Sequence, residues 1–121
     1  MKHKIHFDEE HQILVQTIFG EFSTDETRQF GSLYKQFLEG KPYRQLIVDL
    51  SEAGKMENRE TRSVTNEMVN AAKITDVAFV GANSALRMIA KVLMKLGSLK
   101  ADSTFVKDID EAVNWLKNRR K

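Results

Sequence analysis

Leu46-Ile47-Val48-Asp49-Leu50-Ser51 sets three apolar residues in a row, two of them β-branched, and closes them with an acid. A strand with one wet face alternates polar and apolar positions, and this run does not. It reads as a short strand covered on both sides, the place of an inner strand in a parallel sheet flanked by helices. Val77-Ala78-Phe79-Val80, ended by Gly81, has the same character, and Thr104-Phe105-Val106 is a third such run.

The segments between these runs carry helical spacing. Asn58 to Ala72 presents Val64, Met68, Ala71 and Ala72 as a narrow apolar stripe behind polar first turns. Gly81-Ala82-Asn83-Ser84 opens a helix that Gly97 closes. Asp108-Ile109-Asp110-Glu111 has the form of a capping box and opens a last helix with Ile109, Ala112, Val113 and Leu116 on one face, with Trp115 packing beside it. Upstream, Ser23-Thr24-Asp25-Glu26 is a second capping box. Phe30, Leu33, Tyr34, Phe37 and Leu38 follow at helical intervals until Gly40 and Pro42 stop the helix. His3 to Phe7 and Ile13 to Phe19 read as two strands of a hairpin turning at Asp8-Glu9-Glu10.

The resulting order is ββαβαβαβα. This is an α/β domain with a mixed sheet of about five strands, an N-terminal hairpin followed by parallel strands, covered by four helices. The 121 residues show no repeat, linker or low-complexity segment, so a single domain spans 1–121.

Composition narrows the function classes. The net charge of +2 makes no demand for nucleic acid. The absence of cysteine excludes disulfides, thiolate nucleophiles and thiolate metal sites. No apolar leader opens the chain. The most apolar stretch, Ser84 to Leu96, is short and carries Arg87, Lys91 and Lys95, so no membrane span is expected and the cytoplasm is the default compartment. His3, His6 and His11 read as surface residues that do not share a metal, since His3 and His6 point to opposite faces of one strand. Lys117, Arg119, Arg120 and Lys121 read as a helix end complementing its dipole and running into a frayed terminus.

Candidate site residues lie in the loops after the strands, where sheets of this kind meet their ligands. After Val48 come Asp49, Ser51 and Glu52, then Gly54 to Asn58. After Val80 come Gly81, Asn83 and Ser84, and after Val106 come Lys107 and Asp108. Asp49 could serve as base, metal ligand or phosphoacceptor, or simply cap its loop. Gly81 to Ser84 could hold an anion at a helix start, or be a tight turn with Ser84 as its N-cap. On the 84–96 helix Arg87, Lys91 and Lys95 make one narrow basic stripe in an otherwise apolar surface. That surface is wider than one sheet face needs. It suits a neighbouring helix, a homodimer contact or an apolar ligand. No cofactor or catalytic residue is indicated.

Asp49, Ser84 and Lys107 at successive strand ends resemble a response-regulator receiver domain. That family follows its early acidic pair with a helix, whereas Ile13 to Phe19 reads as a strand, and no proline follows Lys107. The fuller resemblance is to the STAS superfamily of anti-sigma-factor antagonists and sulfate-transporter tails, in particular its uncharacterised stand-alone bacterial branch. Ile13 to Ser23 is similar to that family's second strand and helix entry. Leu46 to Ser51 is similar to its central strand, Val77 to Gly81 to the next strand, and Ala112-Val113-Asn114-Trp115-Leu116 to its closing helix.

The resemblance implies a non-catalytic module that binds a protein partner (a regulator, kinase or transporter) or a small anionic or apolar ligand. It also implies a switch serine at the start of the helix after the central strand. Met56-Glu57-Asn58-Arg59-Glu60 occupies that place and has no hydroxyl before Thr61. The expected binding set is therefore Asp49, Ser51, Glu57, Asn58, Thr61, Gly81, Asn83, Ser84 and Arg87, without the phosphoserine switch. The alternatives are an Asp49-dependent phosphotransfer protein or hydrolase, and a carrier of an apolar ligand.

Overall fold

The computed structural model describes residues 2–56, 59–82, 87 and 99–120. Along these run β1 (Lys4–Asp8), β2 (Ile13–Thr17), β3 (Gly20–Phe22), α1 (Thr24–Leu38), β4 (Gln45–Asp49), β5 (Ala53–Met56), α2 (Arg59–Ala71), β6 (Asp76–Val80), β7 (Asp102–Val106) and α3 (Ile109–Asn118). The helix expected over 84–96 lies outside the described residues except for Arg87, which is helical. The main sheet has the order β1-β2-β4-β6-β7. β1 and β2 pair antiparallel, and β2 to β7 are all parallel, as the unalternated runs require.

The hairpin turn is fixed by Asp8. Its carboxylate accepts from the His11 backbone N–H at 3.2 Å and lies 2.7 Å from His11 Nδ1. The His11 side chain is the main cause that holds the Asp8 carboxyl below its ordinary value.

The inner strands are buried almost throughout, and their successive residues point to opposite faces, so the sheet has two cores. Leu14, Leu46, Val48 and Val77 face α1 and α2, where Phe30, Tyr34, Leu38 and Val69 meet them. Ile13, Val15, Ile47, Ala78 and Val80 face α3 and its Ala112, Val113 and Leu116. Each such aliphatic side chain contributes about 1.5–3 kcal/mol by leaving water. Of the stripe expected on α2, Val64 and Ala72 are buried and Met68 packs against the core, while Ala71 is exposed and Val69 is buried in its stead. Gln16 is buried on the α1 side and is matched there by the Tyr34 hydroxyl, which donates to Gln16 Oε1. Burial pushes the Tyr34 phenol above its ordinary range. α1 opens on the full capping box: Ser23 Oγ accepts from Glu26 N–H and Glu26 Oε1 accepts from Ser23 N–H. Gly31 in mid-helix lets α2 close in, since a Cβ there would stand 2.2 Å from Met68 Sδ.

The expected strand from Ile13 to Phe19 ends early. After Thr17 the chain leaves the main sheet, with Ile18 N–H donating to Asp49 O at 3.1 Å and Gly20 N–H to Glu52 O at 3.0 Å. β3 then pairs with β5 in a separate two-stranded parallel sheet.

Two surface readings are corrected. The His3 side chain is fully enclosed, ringed by Phe22 and Phe30 at centroid distances of 5.3 and 5.8 Å. Its Nδ1 accepts from Phe19 N–H at 3.0 Å, which leaves the proton on Nε2. Nε2 stands 2.9 Å from Glu26 Oε2, but its N–H is poorly aimed for a directed hydrogen bond. The basic end of the chain is likewise anchored through residue 120. Arg119 binds Asp76 and Asp102 across the starts of β6 and β7. Arg120 donates to Gln45 Oε1 at 2.9 Å and to the carbonyls of His11 and Gln12 at 2.7 and 3.2 Å.

Candidate functional site

The carboxyl edge of the parallel strands assembles part of the expected set. Asp49 ends β4, and Leu50 N–H continues the ladder to Val80 O at 2.8 Å. The chain then turns sharply. Asp49 Oδ1 accepts from Ser51 N–H at 3.0 Å and from Ser51 Oγ at 2.6 Å, an Asx turn that engages this oxygen locally. Gly81 follows β6 with φ +68°, and its N–H donates to Val106 O at 3.1 Å. A Cβ on Gly81 would stand 3.0 Å from Ser51 Cβ, so the two turns abut. Asp49, Ser51 and Gly81 thus form one continuous edge, with Ser51 and Glu52 exposed.

Arg87 is exposed beyond this edge, its guanidinium 5.6 Å from the Phe105 ring centroid; Phe105 in turn stacks on Phe79. Thr61 is fully buried at the α1–α2 contact, where its hydroxyl lies 2.8 Å from Thr24 Oγ1. The next hydroxyl along α2, Ser63, is exposed. Helical period carried this distinction in the sequence, since position 61 shares a face with Val64 and Met68. Glu57, Asn58, Asn83 and Ser84 lie outside the described residues. Asp108, after β7, accepts from Glu111 N–H at 2.9 Å as the cap of α3.

A ligand crevice forms in a doubly wound sheet where the strand order reverses. Here the spatial order follows the chain order without reversal, so the sheet has no such switch point. Among the described residues the carboxyl edge is a surface on which the Asp49 and Gly81 turns abut. At the opposite edge, Asp8, Glu10 and His11 bring ligand atoms within 4.8 Å of one another. The Asp8–His11 hydrogen bonds account for that arrangement as a turn lock.

The architecture is that of the anti-sigma-factor antagonists, a STAS-like fold. SpoIIAA in its unphosphorylated form superposes with a TM-score of 0.67 at 8% identity, over 98% of this chain and 99% of that one. SpoIIAA in its phosphorylated form, described as the Bacillus cell fate determinant, gives 0.61 at 11% identity over 94% and 98%. An uncharacterised protein of the DUF3478 family with a SpoIIAA-like fold, from Shewanella loihica PV-4, gives 0.69 at 16% identity over 94% and 91%. By sequence, the chain belongs to the family described as Domain of unknown function (DUF7793), which matches residues 10–120. No curated protein matches it. Among the described residues no helix is long and apolar enough to cross a membrane.

Proposed function

We propose that this is a non-catalytic, STAS-like regulatory domain that docks a protein partner, such as a regulator, kinase or transporter, through its carboxyl edge. The observation that carries this reading is the Asp49–Ser51 turn. Asp49 Oδ1 is engaged by the turn's own N–H and hydroxyl, so the residue shapes a surface, and Gly81 fits against that surface. The docking face extends along the 49–62 loop and helix start to the 81–87 turn and Arg87. This reading does without the phosphoserine switch: residues 56–60 carry no hydroxyl, and Thr61, the next one, is enclosed against Thr24. A cytoplasmic setting and a homodimer through residues 84–96 are compatible with this reading.

The test pairs a binding assay with a chemical one. A partner isolated with the wild-type domain should lose affinity for Arg87→Glu and for Ser51→Arg, while both variants keep the wild-type circular dichroism. Unchanged affinity in both would remove the carboxyl edge from consideration. Incubation with acetyl phosphate and Mg²⁺ should leave the intact mass unchanged. A covalent phosphate lost in Asp49→Asn would establish the phosphotransfer alternative, and a copurifying apolar molecule in native mass spectrometry would establish the carrier.

A further inference from the structure

We propose that a second site lies at the amino edge of the parallel strands, opposite the docking face, and that it binds the phosphate group of a small phosphorylated molecule. A cleft of about 390 Å³ opens there between the loop that enters β4 and the end of α3. Lys41, Tyr43, Arg44, Asp76, Arg119 and Arg120 are among its lining residues. Its size falls in the range of sites for small molecules, roughly 300–1,000 Å³.

The charges in the cleft are unevenly compensated. Arg119 is neutralised, with Asp76 and Asp102 both bound to it. Lys41 leans over the Phe7 ring at 4.5 Å and has Glu9 at 3.8 Å. Among the described residues Arg120 is held by neutral groups: the Gln45 side-chain oxygen, the carbonyls of His11 and Gln12, and the Tyr43 ring at 4.0 Å. Arg44 donates through Nη1 to Ala72 O at 2.9 Å. Among the described residues, neither Arg44 nor Arg120 has a carboxylate within 4.0 Å.

Neutral acceptors fix a guanidinium in place without cancelling its charge. Two such cations lining one cleft repel each other, a cost that an anion between them removes. Arg120 keeps its two Nη1 donors, since its Nε–H and Nη2 donors are engaged, and both guanidiniums are positioned before binding, which limits the ordering cost. Arg119 is fully accounted for by its two carboxylates, whereas the structural hydrogen bonds of Arg44 and Arg120 leave their charges unbalanced among the described residues.

The test is an NMR titration of the full chain at low ionic strength with inorganic phosphate, a sugar phosphate, sulfate and citrate. Saturable shifts should appear at the amides of Tyr43, Arg44 and Thr75 and at Arg120 Nε–H, with the sugar phosphate binding at least as tightly as phosphate. Loss of one charge-assisted contact in Arg44→Gln should weaken binding about tenfold. Lys41→Gln, on the cleft rim, should weaken it less, and both variants should stay folded because neither residue is buried. Shifts that do not saturate, that map to Ser51 and Gly81, or that survive Arg44→Gln would overturn the site. Equal affinity for sulfate and citrate would overturn its assignment to phosphate, and a sugar phosphate weaker than the free ion would overturn the small-molecule ligand.

Discussion

Replacing Gly81 with alanine should cost more than replacing Gly40, although both occupy the left-handed region at φ +68° and +75°. An alanine there costs about 1–2 kcal/mol in backbone strain. Stiffening of the unfolded chain returns about 0.4–1 kcal/mol. At Gly40 nothing lies within 4 Å of the added Cβ, so Gly40→Ala should lose only about 1 kcal/mol net. At Gly81 the new Cβ meets Ser51 Cβ at 3.0 Å, Cα at 3.2 Å and N at 3.4 Å. Two of those atoms are backbone and cannot swing aside, and forced overpacking of this kind adds about 1–3 kcal/mol. Gly81→Ala should therefore lose about 2–4 kcal/mol in total. Urea unfolding followed by circular dichroism, with unchanged slopes, measures both losses. The Ser51 amide should also shift in the folded variant, because the Asp49 turn has to move. Equal losses at the two glycines, or a Gly81→Ala protein as stable as wild type, would refute the abutting-turn geometry.

Gly31→Ala should change sign with its neighbour. With Met68 present the added methyl collides and the variant loses about 1–2 kcal/mol. In a Met68→Ala background the collision is gone, and better helix propensity should make the same change stabilising by about 0.5–1 kcal/mol; identical effects in both backgrounds would disprove the contact. Stability should also fall in acid. Burial raises the Glu26 carboxyl, but the Ser23 hydrogen bonds and His3 outweigh it and hold the group below its ordinary 4.5. A carboxyl depressed on folding contributes stability that is complete above its unfolded value and is lost as pH falls through the folded one. The wild-type urea midpoint should thus hold above about pH 5 and drop below it more steeply than that of Glu26→Gln; parallel profiles would show that the capping box is not the source.

Much of this fold is legible because its signals are local. Leu46 to Val48 and Val77 to Val80 lack alternation, and the helical period and the Ser23 capping box stand within a few residues of one another. What escaped the sequence depends on partners far along the chain. β3 is three residues long and β5 four, and they exist by pairing with each other. His3 looks like a surface residue until Phe22 and Phe30 close around it. Arg119 and Arg120 have the composition of a solvated helix end, yet their partners lie 43, 75 and 109 residues away. At the site, the Asp49 and Gly81 turns were readable as turns. Their contact through Ser51 was not, because it is made by the pairing of β4 with β6.

The unreversed strand order bears on how the domain is made. Each strand of the main sheet adds beside the one before it, β1 to β7, and none has to be inserted between two already paired. A chain leaving the ribosome can therefore extend its sheet from one edge as each segment emerges. Arg120 is synthesised after all of those strands. Until it arrives, the carbonyls of His11 and Gln12 and the Gln45 side-chain oxygen lack the donor that joins the first turn to the central strand. The nascent domain would gain its sheet early and the α3 layer with its final clasp last.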